Sequence, residues 1–111
     1  MKKRNIALIM VLLGLSWSTI AEDKTTTKGE ITRLHFFHNI NGVLILHTNM
    51  GVNPGCARDD QYVLSKNHPY YKDMYALLLA AAAANKKVQL SLSNAECPGN
   101  YPAVKHVWVE F

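Results

Sequence analysis

Six aromatic side chains are the residues best suited to meet a ligand: Tyr62, Tyr70, Tyr71, Tyr75, Tyr101 and Trp108. Sugars present flat C–H faces that pack on rings and leave hydroxyls for hydrogen bonds, and tyrosine offers both a ring and a polar tip. Trp108 falls in "AVKHVWVEF" (103–111), where alternation places it with Val104, His106 and Glu110, opposite Val107, Val109 and Phe111. That spacing sets its ring on a surface, as a platform for a sugar.

Other chemistry is poorly supported. Five histidines are present, but His35 and His38 differ by three on a strand and point to opposite faces. No His-x-x-x-His and no Cys-x-x-Cys occurs, so no metal site is expected. Arg58-Asp59-Asp60 gives two loop carboxylates, far short of the roughly six to eight oxygens that calcium takes. Loop hydrogen bonding is the expected role. No phosphate loop, nucleophile elbow or Ser/His/Asp pattern appears. The reading is a non-enzymatic protein with no cofactor.

Cys56 and Cys97 are the two cysteines. Two cysteines permit one intramolecular bridge, and an exported chain meets an oxidising compartment. Export is read from "MKKRNIALIMVLLGLSWSTIA" (1–21): a basic start, an apolar run and small residues at Thr19 and Ala21. Cleavage after Ala21 leaves 111 − 21 = 90 residues, enough for one domain. Removing Lys2, Lys3 and Arg4 also takes the cationic count from 12 to 9 against 8 acidic residues, a net charge of +1. A nearly neutral domain lacks the basic surface that nucleic acid requires. The expected location is the periplasm, followed by secretion.

The elements that must hold these residues follow from local pattern. "EDKTTTK" (22–28) is polar and reads as a flexible lead-in before a domain over 29–111. "EITRLHFFHNI" (30–40) reads as a strand, bulged or shared between two surfaces because neither alternating set is cleanly apolar. Asn41-Gly42 signals a hairpin turn into "VLILHT" (43–48). A loop with a tight turn at Asn53-Pro54-Gly55 leads to "QYVLS" (61–65). A helix is expected over about 69–84, capped by Asn67 or His68 and ended by Asn85. "KKVQLSLSN" (86–94) alternates with Val88, Leu90 and Leu92 inward. The order β-β-β-α-β-β predicts a mainly β protein with one helix, the five-stranded OB-fold barrel, whose helix plugs one end. An open antiparallel sheet crossed by one helix is the alternative.

The helix carries an unusual burden. Met74 to Ala84 has no charge and is too short to cross a bilayer. Met74, Leu77, Leu78 and Ala81 share the face expected on the barrel. Opposite them lie Lys72, Ala76, Leu79 and Ala83. A small barrel covers only one side, so Ala76, Leu79 and Ala83 are expected at an interface with neighbouring subunits.

The segments "EITRLHFFHNI" and "YYKDMYALLL…NKKVQLSLS" resemble the first strand, and the helix and fourth strand, of the cell-binding B subunits of pentameric A–B toxins. The likeness is to the subtilase-cytotoxin and typhoid-toxin group, over about Gly29 to Ser93. That resemblance implies an OB-fold homopentamer that binds sialylated or related host glycans and carries a separate toxic A subunit. It places a sugar-contacting hydroxyl just before the first strand, where Thr25, Thr26 and Thr27 stand. Thr27 is the nearest match to the group's serine, with a methyl added, and the cysteine positions differ from the group's. The rival expectation is a non-enzymatic periplasmic OB-fold domain that binds a protein or small molecule.

Overall fold

The computed structural model describes residues 22–111, and the expected signal peptide, 1–21, lies outside them. Six strands and one α-helix follow in chain order. They are β1 (Lys24–Thr25), β2 (Ile31–His35), β3 (Gly42–His47), β4 (Tyr62–Ser65), α1 (Tyr71–Ala83), β5 (Lys87–Ser93) and β6 (Ala103–Glu110). A single 3-10 turn, Pro98–Asn100, precedes β6. Over the described residues the fold is mainly β with one helix, as expected, but the strand count there is six rather than five.

The additional strand comes from the polar stretch expected as a flexible lead-in. Lys24 and Thr25 pair antiparallel with Leu92 and Ser91 of β5. All strands form one mixed sheet in the order β1-β5-β6-β4-β3-β2. Only the β4–β6 contact, at Val63 and Ala103, is parallel.

The two edge strands are near neighbours in sequence, and this forces curvature. Gly29 forms a bridge with Val88 of β5. Two residues later, Ile31 pairs with His47 of β3. Two extended residues span at most about 7 Å, so the sheet curls until β3 and β5 approach each other. His47 joins them directly: its Nε2 lies 2.8 Å from the Val88 carbonyl. Glycine at 29 suits the seam, because a Cβ there would overlap Thr48 Oγ1 and the His47 ring.

Inside the curl lie Val43, Ile45, Tyr62, Leu64, Val88, Leu90, Leu92 and Val104, closed over by Leu78 and Ala81 of α1. The run "VLIL" does not alternate because β3 and β4 are covered on both sides. Leu44 and Val63 pack outward against Tyr101 and Ala103, under the segment that leads into β6. Cys56 and Cys97 form a disulfide with Cα atoms 5.6 Å apart, tying that segment to the loop before β4.

Three local expectations change. The bend between β2 and β3 occupies 36–41, with Ile40 N–H donating to the Phe37 carbonyl, rather than a two-residue turn at Asn41-Gly42. Gly42 opens β3, where a Cβ would overlap the backbone of Leu64; close approach of β4, not turn geometry, selects the glycine. The N-cap of α1 is Tyr70 without a side-chain bond, although His68 Nδ1 accepts the Tyr70 N–H. Asn85 ends the helix in a left-handed conformation, as expected. The bulge foreseen in the first strand falls between Ile31 and Arg33.

Candidate functional site: an aromatic groove between the helix entry and the last strand

The turn before α1 packs beside β6. His68 Nδ1 accepts a backbone N–H from Tyr70, so its Nε2 carries the proton and donates to the Lys105 carbonyl at 3.0 Å. This double bond pattern pins the turn to β6 and leaves an open groove of roughly 590 Å³ between them. Tyr70, Met74, His106 and Trp108 contribute most of its character, with Lys105 at one side. Trp108 is 48% exposed, and its ring centroid lies 5.8 Å from that of His106. Tyr70 is exposed and its ring lies 6.2 Å from that of His68.

Alternation along β6 explains why Trp108 faces outward with His106 and Glu110. Val104 departs from the expected outward set and is buried. The β5–β6 register shifts between Ser91 and Leu92, and the shift turns Val104 into the core.

The three threonines separate. Thr25 is exposed and pairs with Ser91, which pairs on its other side with His106. Cross-strand partners share a face, so Thr25 stands two strand spacings, about 10 Å, from the groove's His106. Thr27 is exposed, and its side chain has no hydrogen bond among the described residues. Thr26 is a correction: it is buried, and its hydroxyl accepts the Leu90 N–H at 3.0 Å and donates to the Thr27 carbonyl at 2.9 Å. That hydroxyl fixes the backbone and is not free for a ligand.

Charge near the groove is held by ion pairs. Lys105 Nζ lies 2.7 Å from Asp23 Oδ2. Its hydrogen bond, and then the Asn94 backbone amide, keeps the Asp23 carboxyl below the usual aspartate range. Lys28 pairs with Glu110 beside Trp108 in the same strand. On the far loop, Arg58 forms a two-pronged pair with Asp60 and lies 4.8 Å over the Tyr101 ring. Arg58 and Asp60 thus serve the loop, as their sequence suggested.

Among the described residues, no group of three or more His, Cys, Asp or Glu is placed to hold a metal ion. No helix among them is long and apolar enough to cross a membrane. Ala76, Leu79 and Ala83 are exposed on the outer face of α1, while Leu78 and Ala81 are buried and Met74 and Leu77 half-buried on the inner one. Sequence alternation set Trp108 on one face with His106, but it did not point to His68, Met74 or Lys105 beside them. They come from two segments that only the tertiary fold brings together. No family model matches the chain, and no curated protein matches it in sequence.

Proposed function

We propose that the protein is an exported binding subunit with an OB-fold barrel, which takes host-cell glycans and assembles into a ring, as the B subunits it resembles do. The barrel reading draws on the seam. If the stretch from Lys24 to His35 counts as one bent strand that pairs with β5 and then β3, five strands remain around the curl. The helix then falls between the third and fourth of them, as in that fold. A separate toxic subunit completes the reading and rests on the resemblance alone.

The observation that carries glycan binding is the groove with Trp108 and Tyr70 exposed along it. Ring faces receive the C–H surface of a sugar, and Thr25 stands on the adjoining surface with an exposed side chain; Thr27, two residues on, is exposed as well. Each site would bind weakly, because hydrogen bonds to exposed hydroxyls net only about 0.5–1.5 kcal/mol against water. Several copies on a ring raise the strength through avidity.

The test is a glycan array probed with the mature protein and with Trp108→Ala. Binding by the first and its loss in the second is the expected result. An intact oligomer that binds no glycan would refute the reading and favour a periplasmic domain with another ligand.

A further inference from the structure

A second pocket lies away from Trp108, at the rim where the bend 36–41, the end of β4 and the disulfide-bearing loop meet. It measures roughly 530 Å³, within the ordinary range for a small-molecule site. Asn39, Asn41, Asn67 and Glu96 line it, with Ile40 and Pro98 as apolar surface. Asn41 Nδ2 donates to Asn67 Oδ1 at 3.3 Å. That bond leaves Asn41 Oδ1 as an acceptor and Asn67 Nδ2 as a donor without protein partners among the described residues. The Asn39 amide and the Glu96 carboxylate also have no side-chain partner there.

We propose that this pocket is a second ligand site, for a neutral saccharide. The juxtaposition of three amides and one carboxylate over a small apolar floor carries the assignment. An amide offers donors and an acceptor together, which matches neighbouring hydroxyls that each donate and accept. Among the described residues no cationic side chain lines the pocket, so phosphate lacks the charge-assisted donors it favours. One carboxylate falls well short of a calcium shell of about six to eight oxygens. Glu96 also sets the sign: its charge disfavours acidic sugars and leaves neutral ones.

The walls are fixed before a ligand arrives. Lys66 N–H donates to the Asn41 carbonyl at 2.9 Å, and Asn67 N–H to Ser65 Oγ at 3.1 Å. The loop beside Glu96 is held by the Cys56–Cys97 bridge and by Asn100 N–H on the Cys97 carbonyl. Such preorganisation lowers the ordering cost of binding. Exposed Phe36 and Phe37 flank the same Asn39–Asn41 segment, where a longer saccharide would find an aromatic surface. The inference rests on the carbohydrate-binding reading for its ligand class, and on none of the groove's residues.

The experiment is NMR titration of the mature protein, following the side-chain amides of Asn39, Asn41 and Asn67 and the Trp108 indole. The probes are methyl glycosides of galactose, glucose, mannose and N-acetylglucosamine, with that of N-acetylneuraminic acid as the acidic comparison. At least one neutral glycoside should shift the three amides saturably, and the acidic one should not. Asn41→Ala should weaken that binding about fivefold, the loss of about one hydrogen bond, while Trp108→Ala leaves it unchanged. Amide shifts without indole shifts sustain this site and count against the groove. Indole shifts with still amides at every neutral glycoside overturn this site and leave the groove reading standing. Silence at both overturns both. Glycoside-induced amide shifts that vanish with a chelator mark a cation site and overturn the proposal.

Discussion

Leu79→Glu tests whether the outer face of α1 is an interface. Leu79 is 44% exposed, whereas Leu78 beside it is fully buried. Burying an exposed leucine completely contributes about 1.5–3 kcal/mol. Only the exposed share remains to be covered, so a neighbouring subunit would gain about 0.7–1.3 kcal/mol from each Leu79. Ala76 and Ala83 add little area of their own. The leucine therefore does not hold a ring by itself, but a carboxylate in its place must be desolvated, at a cost of several kcal/mol per ion. Leu79→Glu should give folded, dissociated subunits by sedimentation equilibrium, with an unchanged far-UV circular dichroism spectrum. Leu78→Glu should lose the fold, since even Leu→Ala at a buried site costs about 2–5 kcal/mol. Two results refute the reasoning: wild-type protein that stays monomeric at every concentration, or Leu79→Glu protein that keeps a wild-type oligomeric mass.

Reducing the Cys56–Cys97 bridge, which spans 41 residues of sequence, should destabilise the fold by about 4 kcal/mol on loop entropy; urea denaturation with and without reductant measures it. Thr26→Val should cost about 1–3 kcal/mol, because it strips the Leu90 N–H of the hydroxyl it donates to; the thermal midpoint reports the loss. Tyr62 is buried, and burial raises its hydroxyl above the ordinary value of 10.0. The unfolded chain ionises first, so this contribution is full below pH 10.0 and is lost as pH rises through the higher folded value. Tyr62→Phe should remove that alkaline dependence in urea titrations. It should also cost about 1–3 kcal/mol at neutral pH, because Tyr62 Oη donates to the Asn49 carbonyl and accepts the Val52 N–H.

Local periodicity made the inner faces readable. Val88, Leu90 and Leu92 alternate as a half-buried strand must, and Leu78 and Ala81 fall on the inner face of a 3.6-residue helix. β1 was not readable, because "EDKTTTK" contains no apolar residue to mark a face. Its order comes from backbone pairing to β5 and from one threonine hydroxyl, neither of which leaves a hydrophobic pattern. Gly42 was legible as a special position, but its reason is the backbone of a strand 22 residues on, at Leu64. The groove was half legible for the same cause. Alternation exposes Trp108, while Tyr70 and His68 reach it through the packing of a turn against β6.

His47 shows how the seam constrains everything above it. A histidine at the end of "VLILH" reads as a surface or packing residue, and here it packs: it is buried with both ring nitrogens engaged. Nδ1 accepts the Asn49 N–H at 3.0 Å, which leaves Nε2 to donate to the Val88 carbonyl. The same carbonyl also accepts the Gly29 N–H, using both its lone pairs. One oxygen on β5 thus receives the incoming edge of the sheet and a side chain from β3, so the curl is held by directed polar bonds as well as by its core. With neither nitrogen free, His47 has no lone pair left for a metal. Closure at this point also fixes where β1 runs along β5, and hence the face on which Thr25, Ser91 and His106 line up. The aromatic groove and its polar border therefore depend on a seam that neither of them touches.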